Sequence, residues 1–249
     1  MKPKLLAAVF LAALKVLAFA ASACAAGGVI EINQAVVNAA GGFPYNITSS
    51  GSYRLSGNLT DSSTTADAID IGAAATSVTI DLNGFSIIGP GGPNTGSGIL
   101  QNNPGSLTVE NGSINGFSGG GVGGNGVFAY GDAIVRNMQV SGNGNGIVTS
   151  SGSVISGNTA SNNVVGIDCA GSGCVISGNT AINNASHGII FNSFGSLITG
   201  NAVLNNGGIG LIGGDSTNAY GGNVINGNGY LNVQGGTSLG NNLCGGTIC

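Results

Sequence analysis

Ile155-Ser-Gly-Asn158-Thr-Ala-Ser-Asn-Asn163 is followed by Ile176-Ser-Gly-Asn179-Thr-Ala-Ile-Asn-Asn184 and then by Ile198-Thr-Gly-Asn201-Ala-Val-Leu-Asn-Asn206. The Asn158, Asn179 and Asn201 steps are 21 and 22 residues, and looser copies carry the series to Asn58, Asn83, Asn111, Asn137 and Asn223. A recurring unit of this size is the signature of a solenoid, in which each repeat contacts only its neighbours.

Each phrase opens on an apolar pair, Val154-Ile155, Val175-Ile176 or Leu197-Ile198, and breaks at Gly-Asn. A second short apolar segment follows, then a Gly-rich gap. A third apolar strand comes after it, as at Gly146-Ile147-Val148, Gly166-Ile167-Asp168 and Gly188-Ile189-Ile190. A unit this short cannot hold two packed helices. It fits one coil of three short strands and three bends. Asn suits a tight bend because its short polar side chain tolerates the left-handed region. Stacked coils place each Asn above the next at about 4.8 Å, so their amides can hydrogen-bond up the stack, as identical residues do in other in-register assemblies. The expected ladder is Asn83, Asn111, Asn137, Asn158, Asn179, Asn201 and Asn223.

On these residues the chain resembles the right-handed parallel β-helix repeat family, the pectate-lyase-like architecture of many secreted polysaccharide-active proteins. The resemblance covers roughly residues 52–233. Ile32-Asn-Gln-Ala35, Gly51-Ser-Tyr-Arg-Leu55, Val78-Thr-Ile-Asp-Leu-Asn-Gly-Phe85 and the closing Asn-Leu-Cys244-x4-Cys249 also resemble a group of exported bacterial β-helix proteins without an established activity. The resemblance implies an all-β, single-stranded right-handed parallel β-helix of about eight coils, a rod on the order of 35–40 Å long.

Composition agrees with a packed chain. Gly numbers 49 of 249 residues and charged residues are 6%, yet 42% are hydrophobic and recur in register. A disordered polar tract is poor in Ile and Val.

The chain begins like a secretory signal: Lys2 and Lys4, an apolar run over 5–20 broken by Lys15, and small residues around Ala21-Ser-Ala23. The run is too short for a comfortable membrane span. An alternative is lipidation at Cys24, although the Leu expected three residues before it is missing. Without residues 1–26 only Arg54 and Arg136 remain against nine carboxylates, a net charge of −7. That balance argues against nucleic acid and anionic membranes. The expected location is the extracellular space or cell envelope.

Four cysteines remain. Cys169 with Cys174, and Cys244 with Cys249, read as disulfides in an exported protein. With one His and two distant thiol pairs, no zinc spacing is present, and neither metal nor cofactor is expected.

The expected layout is a signal peptide at 1–26 and an N-terminal cap at 27–51. The β-helix follows at 52–236, with a closing segment at 237–249. Apolar residues at 32, 35, 36, 39 and 40 follow a helical period, and this helix is the candidate cover for the open end. Gly-rich insertions at 90–98, 116–126 and 215–222 should project as loops.

Chemistry is sparse. Asp81, Glu110 and Arg136 precede the Asn positions of three successive coils. If they face outward they form a column of two acids and a base. The competing reading is a surface ladder of opposite charges. The third strands give another column, Phe128, Val148, Asp168 and Ile190. A β-helix lyase needs a base and a calcium-holding carboxylate cluster, and a hydrolase needs two or three neighbouring acids. No Asp-x-Asp occurs, and a lone Asp168 is no pair. Tyr130 and Asp132 could line a sugar-binding face, with Tyr220 and Tyr230 as further exposed aromatics. His187 reads as a loop residue.

The preferred expectation is a monomeric, non-catalytic exported scaffold that contacts a polysaccharide or a cell-surface protein. The alternative is a lyase or glycoside hydrolase acting on an acidic polysaccharide, with Asp81, Glu110, Arg136 and Asp168 as the residues to test.

Overall fold

A computed structural model describes residues 28–92, 96–119 and 124–248. The expected signal peptide, Cys24, Cys249 and parts of the first two insertions lie outside the described residues.

The chain is a parallel β-solenoid. Each coil contributes a strand to three columns. The first is typified by Val154–Ser156, Val175–Ser177 and Leu197–Thr199, and the second by Thr159–Ser161, Thr180–Ile182 and Ala202–Leu204. These two columns merge into one sheet. The third column is a separate sheet, typified by Asn145–Thr149, Val165–Cys169 and Ile189–Phe191. Every coil-to-coil pairing is parallel and in register, as in Val154↔Val175↔Leu197 and Ile147↔Ile167↔Ile189.

The solenoid has about ten turns, more than the eight that the Asn series suggests. The extra turns lie at its ends. Val29–Ile32, expected to belong to a helix, is a strand paired with Gly51–Leu55, and Thr237–Ser238 pairs with Ala219–Gly221. The helix is only Gln34–Ala39, capped by the Asn33 side chain, which accepts from Val36 N at 3.1 Å. Its buried residue is Val37 and not the 35/36/39/40 face. Ile32 fits the helical period of residues 35, 36, 39 and 40, but strand alternation across Ile30 and Ile32 wins because Gly51–Leu55 is there to pair with.

Alternation fixes the core. Val78, Ile80 and Leu82 are buried, as are Ile155, Ile176 and Ile198 directly above one another. The core is therefore a set of stacked aliphatic columns. Each coil shelters its apolar residues only by resting on the next, which is how a repeat too small to fold alone becomes stable.

Two asparagine ladders run inside the bends. In the first, each Nδ2 donates to the next Oδ1: Asn158 to Asn179, Asn179 to Asn201, Asn201 to Asn223 and Asn223 to Asn242, all at 3.0 Å. The same Oδ1 atoms accept the backbone N–H of the preceding Asn. The second amide proton goes to a carbonyl one coil back, as from Asn179 to Ile155 O at 2.8 Å. The second ladder runs Asn143, Asn163, Asn184, Asn206 and Asn228 with the same bonding.

The expected single ladder is thus corrected at its N-terminal end. Arg136 aligns with Ser156, so Asn137 sits beside Gly157, and Met138 occupies the inward position above Asn158. Asn83, Asn111 and Asn137 hold the left-handed bend itself, with φ of 52°, 60° and 54°. In later coils Gly157, Gly178, Gly200 and Gly222 take that bend, with φ of 63–66°. Glycine adopts it without strain, which frees the following position for the inward Asn.

Candidate functional site

The left-handed bends that divide the first and second columns turn Asn83, Asn111 and Asn137 toward solvent. They form a chain of their own: Asn137 Nδ2 donates to Asn111 Oδ1 at 3.3 Å, and Asn111 Nδ2 donates to Asp81 Oδ1 at 3.1 Å. Asp81 Oδ1 also accepts the backbone N–H of Asn83 at 2.8 Å.

Beside this corner runs a charged row. The register is Glu31↔Arg54↔Asp81↔Glu110↔Arg136, one residue per coil with none skipped. Arg136 Nε donates to Glu110 Oε2 at 2.6 Å, and an Arg54 guanidinium nitrogen lies 3.2 Å from Glu31 Oε1. Both arginines are about half exposed, so each pair contributes no more than about 1 kcal/mol. Chemically, the base of the supposed acid–acid–base set is committed to one acid, and the second acid is held by amide donors.

A polar groove of about 280 Å³ opens against this row, lined by Gly84, Gly112, Ser113, Asn137 and Gln139. Gly84 faces open space, whereas Gly112 takes an inward position in register with Met138. A side chain on Gly112 would run into Leu82 Cβ and Phe85 O. A second groove of about 280 Å³ lies at the corner between the third and first columns. Ser106, Thr108, Asp132, Ile134 and Val154 are among the residues that line it. Asp132 therefore lines a groove, and Tyr130, 57% exposed, lies two residues before it.

The remaining candidates are scattered. Tyr220 is a correction to the expected exposed aromatic. It aligns with the buried Ile198, is itself 8% exposed and fills the core, whereas Tyr230 is 75% exposed. Asp168 stands in the third sheet between Val148 and Ile190, facing outward. It has no hydrogen-bond or ion-pair partner among the described residues, and burial pushes its carboxyl above the ordinary range. His187 Nδ1 accepts the backbone N–H of Ile209 at 3.1 Å, a contact from one coil to the next.

Asp61 is buried. One oxygen accepts Ser63 N at 2.7 Å, and the other has no partner among the described residues. Burial, and then the charge of Asp67, raise its carboxyl. Among the described residues no three His, Cys, Asp or Glu side chains gather as metal ligands. Cys169 and Cys174 are bonded and buried at a bend. Cys244 is buried at the far end.

The second asparagine ladder and the polar groove are the features that sequence reasoning missed. The ladder's signal was present in the doublets Asn162-Asn163, Asn183-Asn184 and Asn205-Asn206. The first Asn of each holds a left-handed bend, and the second points inward. The groove had no such signal, because Gln139 and Ser113 meet only through register.

No family model and no curated protein matches the chain. Among solved structures, the Dettilon tailspike protein aligns with a TM-score of 0.54 at 16% identity, over 79% of this chain and 47% of that one. A mutant of the periplasmic alginate epimerase AlgG aligns with a TM-score of 0.39 at 14% identity, over 74% of this chain and 61% of that one. The chain thus spans about half the length of the tailspike and somewhat more of the epimerase. The first likeness is one of fold. With the in-register coils and stacked asparagines, it identifies the chain as a parallel β-helix protein.

Proposed function

We propose that the chain is an exported, non-catalytic β-helix that binds polysaccharide at the polar corner of its first two columns. The observation that carries this reading is the groove of Ser113, Asn137 and Gln139 beside the Glu110–Arg136 pair. Amide and hydroxyl groups on rigid, in-register strands suit the paired donor and acceptor pattern of sugar hydroxyls. A fixed scaffold lowers the ordering cost of binding them. The tailspike and epimerase likenesses are compatible with this reading and add only the fold.

Binding of a panel of neutral and acidic polysaccharides, measured by affinity electrophoresis, tests it. Gln139→Ala and Arg136→Ala should weaken retardation at least several-fold while leaving the circular-dichroism spectrum unchanged. Retardation by no polysaccharide, or retardation indifferent to both substitutions, would refute the proposal. Release of unsaturated uronates or reducing ends, abolished by Arg136→Ala or Asp81→Ala, would establish the lyase or hydrolase alternative in its place.

A further inference from the structure

The bends that follow the second column stack as its strands do. Asn162, Asn183, Asn205 and Gly227 hold them, with φ of 53–68°. The first three donate their backbone N–H to a carbonyl of the next coil: Asn162 to Ile182 O at 3.3 Å, Asn183 to Leu204 O at 3.1 Å and Asn205 to Asn226 O at 2.9 Å. At Gly227 the series runs out. The chain beyond, Leu243–Cys244, pairs with Val224 and Ile225 and then doubles back into the antiparallel strand Thr247–Ile248. Among the described residues no further coil stands opposite Gly227. A backbone N–H takes whatever acceptor is left to it, and the Gly227 N–H donates to the side chain just before it, Asn226 Oδ1, at 2.8 Å.

This contact sets a nucleophile beside an electrophile. The Gly227 nitrogen lies against the Asn226 side-chain carbonyl, and these two groups are the ones that close a five-membered cyclic imide. Glycine has no Cβ to obstruct the approach, and both residues are exposed.

Eight other Asn-Gly pairs occur in the sequence, and the fold withholds them. In the pairs that begin at Asn83, Asn115, Asn143, Asn206 and Asn228, the glycine N–H donates to a main-chain carbonyl of another segment, as Gly84 does to Asn111 O at 2.7 Å and Gly229 to Asn206 O at 2.7 Å. In the other three the glycine lies inside a strand, at Gly112, Gly126 and Gly146. Asn143 and Asn206 also commit both amide protons to the second ladder and its carbonyls.

We propose that Asn226 is a site of spontaneous covalent modification, cyclising onto Gly227 and losing its amide while the chain stays folded. The Gly227 nitrogen gives up its proton to water and bonds to Asn226 Cγ. The side-chain nitrogen leaves as ammonia, with a proton returned from water. Water then opens the imide at either carbonyl. The product is aspartate or, with the main chain rerouted through Cβ, isoaspartate. Both add a negative charge to the outward row Ser161↔Ile182↔Leu204↔Asn226. Isoaspartate also lengthens the bend by one atom, beside Asn228 at the end of the second ladder.

Peptide mapping by mass spectrometry tests the proposal on the folded chain, incubated for days at mildly alkaline pH. Amides held by the coil stack react only through local opening, so deamidation should accumulate at Asn226 about ten-fold faster than at any other Asn-Gly pair. In urea all the pairs should react at comparable rates, because the fold that separates them is gone. Asn226→Gln, whose longer side chain closes an imide far less readily, should leave that position unmodified, with circular dichroism confirming that the variant is folded. A folded wild-type chain in which Asn226 stays intact, or in which another pair keeps pace with it, would overturn the proposal. So would a preference for Asn226 that persists unchanged in urea, since its cause would then lie in local sequence and not in the missing coil.

Discussion

Replacing Asn179 by Ala removes one rung from the middle of the inner ladder. Asn179 donates to Ile155 O at 2.8 Å and to Asn201 Oδ1 at 3.0 Å. It accepts from Asn158 N at 2.9 Å and Asn158 Nδ2 at 3.0 Å. Not all four losses cost alike. Asn201 Oδ1 keeps the Asn179 backbone N–H, and Asn158 Nδ2 keeps Val135 O. The group left stranded is the buried Asn158 N–H; Ile155 C=O loses its side-chain donor but stays in the strand ladder with the next coil. An unpaired buried group costs about 1–3 kcal/mol, so the substitution should destabilise by about that much. Urea denaturation followed by far-UV circular dichroism measures it, with the slope on denaturant unchanged. The exposed Asn192→Ala serves as the reference and should lie within about 0.5 kcal/mol of wild type. An Asn179→Ala chain that loses no more than Asn192→Ala would refute the reasoning, because the amide stack would then contribute nothing net. Hydrogen exchange sharpens the test: the Asn158 amide should exchange faster in the variant than in wild type.

Gly166→Ala should be costly, because the new methyl would sit 2.6 Å from Gly188 O and 2.7 Å from Asn184 Nδ2. A loss of about 2 kcal/mol or more is expected in the same denaturation assay, against no loss for Gly92→Ala, which has open space around it. Burial raises the carboxyls of Asp61, Asp67, Asp70 and Asp168 above their ordinary 3.8. As pH falls the folded state takes up these protons before the unfolded state does. Stability should therefore rise as pH drops from neutral through the raised values and level off near the ordinary one. A melting temperature measured at low protein concentration should be higher near pH 4 than at pH 7, and a steady fall over that interval would contradict the assignment. Replacing Cys169 and Cys174 together by Ser opens a loop closed over a separation of 5 residues. The loop-closure estimate for so short a loop is about 2 kcal/mol, to be read as a lower urea midpoint than that of wild type.

How much of this was legible follows from the kind of signal each feature leaves. The solenoid was readable because Ile155, Ile176 and Ile198 recur with the bend residues at a nearly fixed step, and a fixed step means stacking. The rows of opposite charge and of Phe128, Val148, Asp168 and Ile190 were likewise readable, since register follows from the repeat. The offset at Asn137 was not. Gly-Asn in later coils and Asn-Gly or Asn-Met in earlier ones look like the same phrase, but the left-handed residue falls on Gly in the former and on Asn in the latter. A slip of one residue turns a side chain from outside to inside. Tyr220 misled for the same reason. The apolar phase there puts an aromatic inward, beneath Ile198, where sequence alone suggested a sugar contact. Val29–Ile32 was hidden by its brevity: four residues fit either period, and only the strand at Gly51–Leu55 decides between them.

Register is the claim from which the ladders and the charged row both follow, and cysteine cross-linking reads it directly. Ser177 and Thr199 are in-register outward neighbours, and so are Ser156 and Ser177. Adjacent parallel strands lie about 4.8 Å apart, inside the Cα window for a disulfide, whereas positions two coils apart lie about 9.6 Å away and outside it. Ser177→Cys with Thr199→Cys should therefore cross-link under mild oxidation within one chain, and Ser156→Cys with Thr199→Cys should not. Bonding of the distant pair in preference to the adjacent one would contradict the stacked-coil account.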